Sequence, residues 1–278
     1  RYLLSNLNDF NPATDCISYE DMLPLDRWAI EKARELQKDV LNYYEEYQFL
    51  QVHQRIHHFC SVDMGSFYLD VIKDRQYTMQ ANSVARRSSQ TAMFHIAEAF
   101  VRLIAPILSY TAEEIWLELP GEREESVFLA TVYEGLPEAT NAELSEFDFW
   151  QPIIETRLLV SKELERVRAE GLIRSGLDAD VTLYCGSDLY EALSQLNDEL
   201  RFVLITSYAQ VKPLSDKTDK ASATGNEQLF IEVSASEHDK CVRCWHHRDD
   251  VALSAEHPEL CSRCVENVDG KGEVRLFA

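Results

Sequence analysis

The chain has 278 residues, 45% of them apolar, so it can form two or three domains with hydrophobic cores, which excludes wholesale disorder. Its 48 acidic and 27 basic residues give a net charge of −21, which disfavours nucleic-acid binding over most of the surface. No apolar run approaches the ~18–20 residues that span a bilayer, and the first residues show neither an initiator methionine nor a signal-peptide pattern. We therefore expect a piece of a longer chain without a membrane partner, and the cysteine usage described below favours a reducing compartment and so predicts a cytoplasmic protein.

Helical spacing dominates residues 1–118. Apolar residues three or four apart predict helices over about 24–47, 50–60 and 82–104, with an irregularity near Gly65. Pro106 ends or kinks the third helix. The sequence Thr-Ala-Glu-Glu at 111–114 has the pattern of a capping box and predicts a further helix that starts just before Ile115. We interpret this region as an antiparallel helical bundle.

The pattern changes after residues 120–146, which are acidic and poorly periodic and are predicted to form a connector. The elements predicted beyond it are, in chain order, a helix over about 148–170, a strand over 181–185, a helix over 188–200, a strand over the apolar run 202–205, a polar loop over 213–228 and a strand over 229–233. Together they predict a small α/β unit.

Seven cysteines are present, and four of them form two Cys-x-x-Cys pairs. Cys241 and Cys244 are separated from Cys261 and Cys264 by 16 residues. Such pairs form tight knuckles that suit tetrahedral Zn²⁺, and four sulfur ligands leave no open position for a catalytic water. Two redox dithiols or four unrelated thiols are the alternatives. We predict one Zn²⁺ held by these four cysteines.

Residues near this predicted site also have expected roles. His246 and His247 are competing ligands, although four cysteines complete the set without them. Trp245 follows a ligand directly, and we favour packing against the knuckle over an exposed stacking surface. Nearby basic residues are expected to offset the thiolate charge: Lys240, Arg243, Arg248, Arg263, Lys271 and Arg275. The other cysteines are expected to pack as small hydrophobic residues: Cys16, Cys60 and Cys185.

These elements predict a mainly α fold. An antiparallel helical bundle with its acidic connector occupies residues 1–146, a small α/β unit occupies 147–237, and a four-cysteine zinc ribbon occupies 238–278. The sequence contains no His-Glu-x-x-His, no phosphate-binding glycine loop and no Gly-x-Ser-x-Gly. We therefore predict no catalytic residues in this chain.

Several stretches of the chain resemble one family. They are residues 1–10, 25–28, 67–77 and 105–116, followed by the cysteine-rich tail from Lys240. In this order they resemble the anticodon-binding helical domain and the C-terminal zinc segment of bacterial isoleucyl-tRNA synthetases, over essentially the whole chain. The resemblance implies that the chain binds isoleucine tRNA and belongs to a monomeric parent enzyme. It also implies that ATP and isoleucine bind to a catalytic domain outside this chain, because the family's ATP-binding signatures do not occur here.

Contact with tRNA is predicted where the charge is least unfavourable. Residues 49–110 carry six basic and four acidic residues and four of the eight histidines, whereas residues 111–150 carry one basic and eleven acidic residues. Anticodon bases are read by stacking and by hydrogen bonds to their edges, and cationic groups hold the phosphates. The predicted contacts are Lys73, Arg75, Arg86, Arg87, Arg243 and Trp245. A solvated helix face is an equally good interpretation of Arg86 and Arg87.

Two other functions stay open on the residues alone. The paired cysteine spacing also resembles the zinc finger of formamidopyrimidine-type DNA glycosylases, although those enzymes use an N-terminal proline and this chain begins with Arg1. The second is a zinc-stabilised protein-interaction module without a nucleic-acid role. Binding of the purified chain to tRNA and to duplex DNA distinguishes the three.

Overall fold

The computed structural model describes residues 1–137 and 141–278, and the side chains of all of these except 141–146. The described residues form two compact units. Unit 1 comprises Arg1–Gln76 and Ala81–Leu144, and unit 2 comprises Tyr77–Gln80 and Ser145–Ala278. No helix among the described residues is long and apolar enough to cross a membrane. The three predicted domain ranges stay predictions.

Unit 1 is built from helices that match the predicted ones closely. The predicted helices at 24–47, 50–60 and 82–104 correspond to three of them, and the irregularity near Gly65 is a π-helical segment, Phe59–Tyr68. The helices are α1 (Tyr2–Asn6), α2 (Pro12–Asp15), α3 (Pro24–Glu45), α4 (Phe49–His58), α5 (Leu69–Val71), α6 (Lys73–Thr78), α7 (Val84–Ile104) and α8 (Ser109–Glu118).

The ends of α3 and α7 follow from their first residues. Pro24 occupies the first turn of α3, where its missing N–H costs no hydrogen bond. Ser83 caps α7 by accepting a hydrogen bond from the amide of Arg86. Both helices bury apolar rows in the core, with Ile30 and Val40 of α3 completely buried.

Hydrogen bonds between helices define their directions. The Leu23 amide donates to Ser88 near the start of α3 and α7, and the Tyr44 hydroxyl donates to the Leu103 carbonyl near their ends. These two helices therefore run parallel. By contrast, Arg55 of α4 pairs with Asp39 of α3 at 2.9 Å, as expected of an antiparallel pair. An antiparallel bundle is thus not confirmed for the unit as a whole.

The predicted capping box at 111–114 is wrong. α8 begins at Ser109, two residues before Thr111, and the Ala112 amide already bonds the Leu108 carbonyl at 2.8 Å. The Glu113 carboxylate accepts hydrogen bonds from Ser126 and from the Val127 amide instead, each at 3.0 Å. The acidic connector is therefore tied to unit 1 by its own backbone.

Unit 2 contains a mixed four-stranded sheet. Its strands are β1 (Ala179–Cys185), β2 (Tyr208–Pro213), β3 (Ser222–Ala223) and β4 (Leu229–Ala235), in the order β2-β1-β4-β3. β1 pairs in parallel with β2 and antiparallel with β4, so that Leu183 lies opposite both Val211 and Ile231. The predicted strands at 181–185 and 229–233 are confirmed. The predicted polar loop contains β3.

The helices of unit 2 differ from the predictions at three places. They are α9 (Asn141–Ala169), α10 (Ser187–Ser194), α11 (Leu200–Leu204) and α12 (Ser262–Val268). α9 begins inside the predicted connector. The helix predicted over 188–200 is shorter, since α10 ends at Ser194. The strand predicted at 202–205 is wrong, because these residues belong to α11 and to the left-handed residue Ile205 that ends it. All five residues of α11 are buried, and periodicity cannot distinguish a short helix buried on all sides from a buried strand.

Candidate functional site

The four paired cysteines converge in unit 2. Their sulfur atoms all lie within 4.8 Å of one another, and all four side chains are buried. Sulfurs bound at ~2.3 Å to one tetrahedral ion lie about 3.8 Å apart, and the Cys244 and Cys261 sulfurs are separated by 3.7 Å. The four cysteines therefore have the spacing of a closed metal site.

Two backbone knuckles hold the sulfurs in place. The Trp245 amide donates to the Cys241 carbonyl and the Cys241 amide donates to the His246 carbonyl, both at 2.9 Å. On the other side, Cys261 precedes the first turn of α12, which carries Cys264, and the Cys261 amide points at the Cys241 sulfur at 3.4 Å. Each Cys-x-x-Cys pair thus uses local hydrogen bonds to direct both of its thiols inward.

The four thiols shift one another's pKa values. Hydrogen bonds from Cys241, Cys261 and Cys264 hold the pKa of the Cys244 thiol well below its usual range. The same contacts with Cys241, Cys244 and Cys261 raise the pKa of Cys264. The pKa values of the Cys241 and Cys244 thiols are thus lowered while that of Cys264 is raised, and a divalent ion bound to the four sulfurs would favour the thiolate form of all of them. The four cysteines bind one Zn²⁺.

The two adjacent histidines have other contacts. His246 is buried and packs edge-on against Phe202, with the ring centroids 5.5 Å apart. One ring nitrogen of His247 lies 2.7 Å from the His238 carbonyl, and the other lies 3.4 Å from the Asp178 carboxylate. Among the described residues, the candidate metal cluster contains the cysteines without either histidine.

Basic residues next to the cysteines surround an aromatic ring. The guanidinium carbons of Arg275, Arg201 and Arg263 lie 3.3, 3.9 and 5.0 Å from the centre of the Phe202 ring. Glu273 accepts hydrogen bonds from Arg263 and Arg275. The sequence did not predict this cluster, because Phe202 was assigned to a strand over 202–205 and Arg201 lies just before it.

The cysteines outside the cluster differ from one another. Cys185 is buried, as predicted, and burial raises the pKa of its thiol to about 12. Cys16 and Cys60 are exposed, so the prediction that they pack as small hydrophobic residues is wrong.

The structure places Arg75 in the core of unit 1 rather than on an RNA-facing surface. Its side chain is 1% exposed and donates two 2.8 Å hydrogen bonds to Asp26, which is itself completely buried. Tyr68 and Ser88 donate to the same carboxylate. A guanidinium held in this way cannot reach a phosphate at the surface.

Arg86 and Arg87 also bind protein groups. Arg86 donates a bidentate pair of hydrogen bonds to the Asp9 carboxylate, at 2.7 and 3.1 Å, and these bonds lower the pKa of that carboxyl. Arg87 donates to the Asp9 carbonyl and to Gln90. Their side chains are 13% and 11% exposed, so neither of the two interpretations offered for this pair, RNA contact or solvated face, describes them well.

The other three predicted contacts are accessible. The Lys73 side chain is 52% exposed and pairs with Asp70 at 2.8 Å. Arg243 is exposed, and one of its nitrogens donates to the Thr78 carbonyl at 3.0 Å. Trp245 is 60% exposed, so the favoured packing interpretation is wrong. Its φ of 66° lies in the left-handed region of the backbone.

Comparison with known proteins identifies two parts of the chain. Residues 26–183 match the model of the anticodon-binding domain of tRNA ligase, and residues 239–267 match a zinc finger found in FPG and IleRS. The whole chain is 54%, 55% and 56% identical to isoleucine–tRNA ligases of Marinomonas sp., Thioalkalivibrio sulfidiphilus and Nitrosococcus oceani. It spans 30% of the length of each relative. Since the first model covers more than half of the residues, the chain belongs to the anticodon-binding domain family of tRNA ligases.

Proposed function

We propose that this chain is the tRNA-binding part of an isoleucine–tRNA ligase, and that it holds isoleucine tRNA for ATP-dependent aminoacylation by the rest of the enzyme. The observation that carries the proposal is the order of two modules, an anticodon-binding domain followed by a closed four-cysteine site, in a chain aligned end to end with isoleucine–tRNA ligases. ATP and isoleucine belong to the part of the parent outside this chain. The parent acts in the cytoplasm as a monomer.

We assign phosphate contacts and base contacts to different residues among the accessible candidates. Lys73 and Arg243 are exposed cations, which suits them to phosphate contacts that fix the position of the RNA. Trp245 presents an exposed indole, and single-stranded bases stack on such rings. Lys240 lies 6.0 Å from the same ring and adds positive charge beside it.

The zinc ion has a structural role in this proposal. With four cysteine ligands it has no position for a substrate or a catalytic water, so it supplies no chemical step. It fixes the Cys241–Cys244 knuckle, and the Trp245 amide bonds the carbonyl of Cys241. The metal thereby determines where the indole is presented.

The DNA-repair alternative is not favoured. The zinc-finger description covers both FPG and IleRS, but the match of residues 26–183 and the full-length relatives point to tRNA ligases. The protein-interaction alternative gains no support from these matches either.

Filter binding tests the proposal directly. The zinc-loaded chain is titrated with isoleucine tRNA, with a tRNA of different anticodon and with duplex DNA of similar length, at two salt concentrations. We expect the tightest binding to isoleucine tRNA, with affinity falling as salt rises because phosphate contacts release counterions. Equal affinity for all three nucleic acids, or preference for the duplex, would contradict the proposal.

A further inference from the structure

A second group of metal-binding side chains lies on α4 in unit 1, far along the chain from the cysteines. His53 and His57 are four residues apart on this helix, and both are exposed. Residues four apart lie one turn above each other on the same helix face. Their imidazole rings are stacked, with centroids 6.1 Å apart and an angle of 29° between the ring planes.

The helix is held so that this histidine face stays in solvent. Val52 is completely buried beneath it. Arg55, between the two histidines, pairs with Asp39 at 2.9 Å and with Asp63 at 3.7 Å. These contacts fix the rotation of α4 about its axis. Within the described part of the chain, neither histidine ring makes a hydrogen bond or an ion pair, so their nitrogens are available to a ligand.

We propose that His53 and His57 form a surface site for a borderline divalent transition ion such as Ni²⁺, Cu²⁺ or Zn²⁺. Two histidines at this spacing on one helix supply two of the zinc ligands in His-Glu-x-x-His metalloproteases. Two nitrogens bound at ~2.0–2.1 Å to one ion lie about 3 Å apart, and stacked rings one turn apart reach this separation by rotating about their side-chain torsions. The remaining coordination positions belong to water.

The surroundings select the class of metal. Residues 47–62 contain no aspartate or glutamate, so the site offers imidazole nitrogen and no carboxylate oxygen from its own segment. Imidazole suits nickel, copper and zinc, whereas magnesium and calcium prefer oxygen ligands. The site therefore binds the first group and ignores the second. It is independent of the proposed tRNA binding and of the four-cysteine zinc.

Nickel titration of the zinc-loaded 278-residue chain tests this site. Zinc occupies the cysteines beforehand, and calorimetry together with broadening of histidine ring resonances by paramagnetic Ni²⁺ reports binding on α4. We expect His53→Ala and His57→Ala each to weaken Ni²⁺ binding about tenfold or more, because loss of a ligand costs at least as much as loss of a supporting contact. Mg²⁺ should give no binding.

His58→Ala is the matched control. His58 is exposed on the same helix, next to His57, but it projects about 100° away around the axis. We expect this variant to bind Ni²⁺ as the parent chain does. All three substitutions replace an exposed residue by the best helix former, so far-UV circular dichroism should be unchanged. Equal Ni²⁺ affinity in the parent chain, His53→Ala and His57→Ala overturns the proposal, as does an equal loss in His58→Ala.

Discussion

Arg75 and Arg86 of the helical unit differ from Arg243 of the cysteine knuckle in the partners that they contact. Arg75 binds Asp26 in the core and Arg86 pairs with Asp9. Arg243, which lies between Cys241 and Cys244, is exposed, and so is Trp245 directly after the knuckle. The charge balance of a stretch therefore does not show whether its cations face a partner. Residues 49–110 carry more basic than acidic residues, yet Arg75 and Arg86 pair with carboxylates of unit 1. The cysteine-rich segment has no such excess, yet it exposes Arg243.

The cysteine-rich segment depends on its metal ion. Loss of one zinc ligand should therefore have the largest effect of any single substitution. Cys261→Ser is expected to abolish zinc binding and to unfold the cysteine-rich segment, because metal binding supplies about 10–16 kcal/mol in structural zinc sites of this kind. Zinc content by elemental analysis and limited proteolysis of the tail measure this loss.

Cys60→Ser is the control for that substitution, since Cys60 is exposed and lies in unit 1. It should keep one zinc per chain and a protected tail. Full zinc occupancy in Cys261→Ser would show that the four cysteines do not bind one ion together. The contrast between a metal-dependent cysteine-rich segment and a metal-independent unit 1 would then no longer hold.

The buried ion pair of unit 1 is expected to give the next largest effect. Arg75→Ala leaves the Asp26 carboxylate buried without its cation, and removal of one partner of such a pair typically costs about 3–5 kcal/mol of stability. Lys73→Ala breaks an exposed pair two residues away and should cost no more than about 1 kcal/mol. Urea unfolding followed by helical circular dichroism compares the two variants. Equal destabilisation would show that the Asp26 network does not support unit 1.

Some features followed from the sequence and others depended on tertiary contacts. The zinc ligands were predictable, because four cysteines at this spacing have few other uses, and the long helices followed from their apolar rows. The burial of Arg75 in an ion pair could not be predicted, because its partner Asp26 is 49 residues away in the chain. The strand predicted at 202–205 failed because α11 is buried on all sides. Trp245 was misjudged because its left-handed backbone depends on the knuckle's hydrogen bonds.

His95 gives unit 1 a predicted dependence on pH. Burial lowers the pKa of this histidine to about 4, and its Nδ1 lies 2.7 Å from the Tyr133 hydroxyl. An unfolded histidine titrates near ~6.5, so between pH 6.5 and 4 the unfolded chain binds a proton that the folded chain does not. The contribution of the neutral ring is thus fully present above pH 6.5 and is lost as the pH falls towards 4.

His95→Gln measures that contribution. The difference in unfolding free energy between the parent chain and this variant should shrink by about 2–3 kcal/mol from pH 7 to pH 4, because only the parent chain has the histidine. His53→Gln, which replaces an exposed histidine of the same unit, is the control. A difference that stays constant over this range would mean that folding does not change the protonation of His95.

The smallest expected effect tests the knuckle segment as a contact surface. Trp245→Ala should weaken isoleucine tRNA binding by about 1–3 kcal/mol if a base stacks on the indole, with little change in the salt dependence because no phosphate contact is lost. Arg243→Gln should instead cause a modest loss of affinity and reduce the slope of the salt dependence by about one unit. Val242→Ala, an exposed neighbour without charge or ring, is the control.

In the full-length parent, Trp245→Ala should lower tRNA charging and leave isoleucine-dependent ATP–pyrophosphate exchange intact, because amino-acid activation does not require tRNA contact at this segment. Unchanged tRNA affinity in both Trp245→Ala and Arg243→Gln would remove the knuckle from the proposed interface and leave Lys73 as its remaining exposed candidate.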